Sequence, residues 1–195
     1  MRYLYFIFFI TLFGCSKKEI KPELDYVNIE MFPYLGGPPS TISVDLKNNI
    51  ITFANLQQIG TYNENCEEKM NKIGREVEFV YINLNEEEIK IVNEALNDDF
   101  LNYVMKSNQE LLDDPKLYEG IRYDGVVFEL DIVKENIVYS TNDYLILEEE
   151  TETKIAAILK IINKHVKLKI NKKYIEHILF FVDHSEKHTP PLLYK

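Results

Sequence analysis

Ile42, Val44 and Leu46 alternate with Ser43, Asp45 and Lys47, and an Asn48-Asn49 pair follows before apolar residues resume at Ile50. Asparagines tolerate the positive φ of a tight hairpin turn, so the stretch reads as two antiparallel strands. With Asn48-Asn49 as a two-residue loop, Leu46 faces Ile51 and Val44 faces Phe53. Both pairs then fall on one apolar face. A slip of one residue would move all of these side chains to the opposite face, so the pattern demands a sheet with one covered side.

Further elements follow the same logic. Tyr26 to Phe32 alternates Val27, Ile29 and Met31 against Asn28 and Glu30, which makes a strand, and Pro33 to Pro39 is a turn-rich loop. Gln57 to Gly74 is polar and reads as a long loop or weak surface helix. Glu76 to Leu84 is a strand whose second half looks apolar on both sides, as a doubly covered strand would be. A helix starts at Asn85, with Glu88 in the reciprocal capping-box position and Leu84 and Ile89 spaced as a hydrophobic staple. Ile89, Val92 and Leu96 form its core stripe.

Asp98-Asp99 caps a further short helix carrying Phe100, Leu101, Val104 and Met105, after which Lys106 to Gly120 reads as loop. Tyr123 to Val133 and Ile137 to Tyr139 are strands joined by a turn at Lys134-Glu135-Asn136, and Tyr144 to Leu147 extends the sheet or forms a loop. Thr151 to Val166 is the most regular helix, with Ile155, Ile158, Leu159, Ile162 and Val166 at helical spacing. Lys167 to Ile170 alternates like a short edge strand blunted by lysine. Lys172 to Asp183 favours helix, with a buried strand from Ile178 as the alternative. Hairpins interleaved with amphipathic helices give a single α+β domain, an antiparallel sheet packed against two or three helices. The Val44-Asp45-Leu46 hairpin and the Leu130-Asp131-Ile132 hairpin look alike, as short hairpins do by chance.

At the start of the chain, Met1-Arg2 precedes an apolar run from Tyr3 to Phe13. A membrane-spanning helix needs about 20 apolar residues, whereas a secretory signal uses roughly 7–15 after a cationic start. The run ends in Leu12-Phe13-Gly14-Cys15, which resembles the lipobox of bacterial lipoproteins: an apolar residue, a variable one, a small one, then cysteine. The resemblance covers residues 1–15 only. It implies cleavage before Cys15, a diacylglycerol on its thiol and acylation, usually as palmitate, of the new amino terminus. One acyl chain holds weakly and two or three hold durably, at about 0.8 kcal/mol per buried methylene. Ser16 in place of aspartate after the cysteine favours the outer membrane in a host with two membranes. The chain then divides into a signal peptide (1–14), a lipidated cysteine and flexible tether (15–25), a globular domain (26–184) and a tail (185–195).

A formal net charge of -10 argues against a nucleic-acid partner, whose recognition needs a basic footprint. It also leaves membrane attachment to the acyl chains. Acidity suits a basic protein partner, and it also serves solubility alone. The chain has two cysteines; with Cys15 acylated, Cys66 has no partner for an internal disulfide. Its acidic neighbours raise a thiol pKa and blunt nucleophilicity.

Phosphate-binding loops, dinucleotide fingerprints, metalloprotease helices and nucleophile elbows do not occur in the sequence. Gly36-Gly37 and Asp124-Gly125 read as turns. His184 and His188 have the i, i+4 spacing of two zinc ligands, without a third to complete a site. They are the weak metal candidates, in a cluster with His177, Asp183, Ser185 and Glu186, and no cofactor is expected. Glu86-Glu87-Glu88 and Glu148-Glu149-Glu150 stand where helices begin, where negative charge complements the dipole. Phe32, Tyr34 and Leu35 are an aromatic candidate for partner contact. The sequence thus leads to a lipid-anchored, non-catalytic interaction domain of the bacterial envelope with a protein partner. Two alternatives stay open: an immunity-type lipoprotein that neutralises a toxin at the membrane, and an envelope enzyme without a readable motif.

Overall fold

The computed structural model describes residues 22–33, 40–55, 79–114, 116, 126–141 and 145–183. Cys15, Tyr34, Leu35, Cys66, His184 and His188 lie outside them, as do residues 1–14, expected to be a signal peptide, the Gln57 to Gly74 stretch and residues 185–195, expected to be a tail. In chain order the elements are β1 (Tyr26–Pro33), β2 (Ser40–Asp45), β3 (Ile50–Asn55), β4 (Phe79–Asn83), α1 (Glu86–Ala95), α2 (Asp98–Asp113), β5 (Val126–Lys134), β6 (Ile137–Ser140), α3 (Glu149–His165) and α4 (Lys169–Val182). The strands form one six-stranded antiparallel sheet in the order β4-β3-β2-β1-β5-β6. It is a single α+β domain, as the patterning predicts, with four helices among the described residues.

Alternation does the sorting. Val27, Ile29 and Met31 of β1, Ile42 and Val44 of β2, Ile51 and Phe53 of β3, Val80 and Ile82 of β4, and Val126, Phe128, Leu130 and Ile132 of β5 all point to one buried face. The four helices cover that face and share its core, and α3 is the central one, packing on α1, α2, α4 and β4. Leu24 is fully buried, and Asp25 donates its amide to Val133 O at 2.8 Å and accepts from Leu46 N at 3.1 Å. The end of the expected flexible tether is therefore built into the fold.

The first hairpin keeps its faces but changes its register. Val44 faces Ile51 and Ile42 faces Phe53, so residues 46–49 form a four-residue loop in place of the expected two. Asp45 is the cause: its carboxylate accepts from Asn48 N at 2.9 Å and Asn48 Nδ2 at 2.7 Å, which closes the turn early. Asn49 takes the positive φ, at 57°. A shift of this size leaves the inward set inward, and Leu46 drops out of the ladder into the core. By contrast the β5–β6 turn is a two-residue one, with Glu135 and Asn136 both at positive φ (52° and 66°). The two hairpins thus close differently, and their likeness in sequence has no counterpart in their turns.

α1 begins as its sequence dictates. Asn85 Oδ1 accepts from Glu87 N and Glu88 N, both at 3.0 Å, and Glu88 Oε2 accepts from Asn85 N at 3.1 Å. Its buried stripe is Glu88, Val92, Ala95 and Leu96, leaving Ile89 only half-buried. α2 is capped by Asn97, in place of the aspartates after it, and runs to Asp113, through the stretch expected to be loop. Polar Ser107 and Asn108 occupy buried positions on its inner face, which interrupts the hydrophobic periodicity. Lys167 to Ile170 is not a strand: α4 starts at Lys169, and Asn171, Tyr174, Ile175, Ile178, Leu179 and Val182 make one buried helical stripe. Leu145 bridges Phe128 in place of a full strand.

Candidate functional site

Among the described residues, the helices cover one side of the sheet. On the other, cross-strand register stacks side chains in rows. One row is Asn83, Ile50, Asp45, Tyr26, Val133 and Val138. The next is Tyr81, Thr52, Ser43, Asn28, Asp131 and Ser140. A third is Phe79, Ala54, Thr41, Glu30 and Glu129, and Phe32 beside Val127 ends the series. Five strand spacings make the face about 24 Å wide, and its rows make it about 20 Å long. That is about 500 Å² of plane, at the low end for one side of a specific interface.

Its composition varies with position. The middle row is polar and internally bonded: Ser43 Oγ donates to Asn28 Oδ1 at 2.9 Å and Ser140 Oγ donates to Asp131 Oδ1 at 2.5 Å. The two margins are apolar. Phe79 and Tyr81 of β4 are 75 % and 62 % exposed, and Val138 of β6 is 61 % exposed; Ile137, opposite Lys134, belongs to the other face. β4 was expected to be covered on both faces; it is instead an edge strand among the described residues, with one face bare. Every residue of its second half is apolar or aromatic up to Asn83, so sequence alone does not distinguish an edge position from a central one.

Phe32, the described member of the aromatic candidate, lies half-buried on this face opposite Val127. Glu30 and Glu129 stand directly opposite one another on the β1–β5 pair, a like-charge arrangement that costs stability. Neither meets a cation among the described residues, and none of the face positions named above is lysine or arginine.

Elsewhere polar groups serve the fold. Ser40 and Asn55 face each other at one end of the β2–β3 pair, and α4 meets both. Ser40 Oγ lies 2.7 Å from Tyr174 Oη, and Asn55 Nδ2 donates to Asn171 Oδ1 at 3.0 Å. Burial pushes the Tyr174 phenol up to about 12, partly offset by the Ser40 hydrogen bond. Glu88 caps α1 and its other oxygen lies 3.4 Å from His165 Nε2. Lys106 meets Glu148 at 2.6 Å, which raises the lysine's pKa, and Glu150 beside Tyr103 raises that phenol's pKa. Both glutamate triplets thus stand at helix starts in structural contacts.

Of the C-terminal cluster, Asp183 is buried and ion-paired with Lys160 at 2.5 Å. His177 packs edge-on against Phe181 at 5.1 Å, and desolvation lowers its pKa. No group of three or more His, Cys, Asp or Glu among the described residues is placed to hold a metal ion. Among the same residues no helix is long and apolar enough to cross a membrane. No family model, curated protein or solved structure matches the chain.

Proposed function

We propose that the protein is a bacterial envelope lipoprotein, held to a membrane through acylated Cys15, whose domain is a non-catalytic interaction module. The observation that carries the second half is the exposure of Phe79 and Tyr81 on the open face of the sheet. Large aromatics left in water at an uncovered sheet margin favour association, since a partner removes apolar surface at about 25 cal/mol per Å². Their row neighbours, Ala54 and Thr52, are short residues that a partner can approach closely.

The first half is supported by the apolar run and Leu12-Phe13-Gly14-Cys15. Lipid attachment confines the module to a surface, where a small interface meets its partner at raised effective concentration. Ser16 stands where aspartate would favour inner-membrane retention, so the outer membrane is favoured where there are two.

Gentle cross-linking of the full-length protein in its native envelope, followed by purification and mass spectrometry, tests the reading. One stoichiometric protein partner is the expected result. An abundant, intact protein with no partner would overturn it and direct attention to small-molecule or enzymatic roles. Cys15→Ser is expected to abolish acylation and cleavage, leaving a longer, unacylated precursor; a variant processed and acylated like the wild type would refute the anchor.

A further inference from the structure

We propose, taking the open face as the interaction surface, that its partner is a basic protein surface: lysine or arginine side chains over Glu30, Glu129 and Asp131, with apolar neighbours against Phe79 and Tyr81. The charge distribution of the face sets this chemistry. Asp45, Asp131, Glu30 and Glu129 belong to it, and no lysine or arginine occupies any of the row positions. Described lysines meet carboxylates elsewhere, on the helical layer or at the turns, among them Lys106 with Glu148, Lys134 with Asp98, Lys160 with Asp183, Lys90 with Glu94 and Lys47 with Asp25.

Glu30 and Glu129 sharpen the point. They are cross-strand partners, Asp131 lies one row away on the same strand, and the positions around them are Thr41, Asn28, Phe32 and Val127. Like charges directly opposite repel, and no lysine or arginine of the described rows offsets them. A cation from outside would. A bare metal ion does not fit, because no set of three such ligands among the described residues is arranged to hold one. Carboxylates spread over neighbouring strands instead match cations spaced along a protein surface, with positive potential meeting negative. A second copy of the same face would bring acid against acid. From Phe79 to Glu30 is three strand spacings, about 14 Å, which one strand or helix of a partner crosses.

The test places a benzophenone-bearing phenylalanine at position 79 of the full-length protein and irradiates native membranes. Capture yield is then compared for Glu30→Gln/Glu129→Gln, for Glu30→Lys/Glu129→Lys and for a matched control, Glu94→Lys/Glu176→Lys, on exposed helical positions. Charge reversal on the sheet is expected to lower the yield about tenfold, neutralisation to lower it less, and the control to change it less than about twofold. Thermal melting of each variant verifies folding, and the glutamine pair, which removes repulsion, keeps the test valid should the lysine pair not fold. Capture that ignores the sheet charges would overturn the basic partner while leaving the open-face reading standing. An equal fall in the control would also overturn it, as would capture of a second copy or of the chain's own segment. Absence of any capture would overturn both readings.

Discussion

Ser40 Oγ and Tyr174 Oη lie 2.7 Å apart, joining the first residue of β2 to the second turn of α4 across 134 positions of sequence. Both residues are almost fully buried. The contact fixes the last helix against the end of the sheet from which β2 and β3 emerge, and it places a phenol where ionisation is costly.

Alkaline pH should therefore weaken the fold through Tyr174. Its pKa is pushed up to about 12 from 10.0, so the folded state holds the proton more tightly than the unfolded state. The contribution is fully present below the unfolded value and is lost as pH rises through the folded one. The loss should be on the order of 3 kcal/mol, measured by urea unfolding at stepped pH. Tyr174→Phe should remove this alkaline slope and, by leaving Ser40 without its partner, cost about 1–2 kcal/mol at neutral pH. An unchanged slope in the variant would show that another group is responsible.

Lys160→Met should destabilise more than its half-exposed position suggests, because the side chain of Asp183 is only 1 % exposed. Stranding a buried carboxylate without its cation costs about 2 kcal/mol, discounted here for the solvent that reaches Lys160. The urea midpoint should fall with an unchanged slope.

Asn85→Ala should cost about 1 kcal/mol, since it breaks one half of a reciprocal cap. Glu88→Gln keeps the size of the other half, so it should cost less. Thermal melts of the two variants separate these effects.

That cap was legible because Asn85, Glu88 and the apolar residues after them are local, and local chemistry decides a helix start. The faces of β1, β2, β3 and β5 were legible for a similar reason, since alternation alone sorts them. What escaped the sequence depends on distant contacts or on one competing side chain. Asp45 closes the first hairpin two positions early, and no periodicity reveals it. Ser107 and Asn108 are buried by tertiary packing, which hid the second half of α2. Asn171 belongs to the buried stripe of α4 through its contact with Asn55, and that made Lys167 to Ile170 resemble a strand. The exposure of Phe79 and Tyr81 follows from strand order, which places β4 at a margin. Strand order is likewise what sets Glu30 against Glu129. Among the described residues the large exposed aromatics belong to β4, and Phe32 lies half-buried on the same face. Tyr34, Leu35, Cys15, His184 and His188 lie outside the described residues.

The most direct measurement of the central claim is partner retention by Phe79→Asp/Tyr81→Asp in native membranes, set beside its melting curve. Both side chains are largely exposed, so the change should cost no more than the poorer strand propensity of aspartate, about 1 kcal/mol per site. The account predicts a folded, membrane-held protein that has lost its cross-linked partner. A variant that retains the partner at the wild-type yield would contradict it.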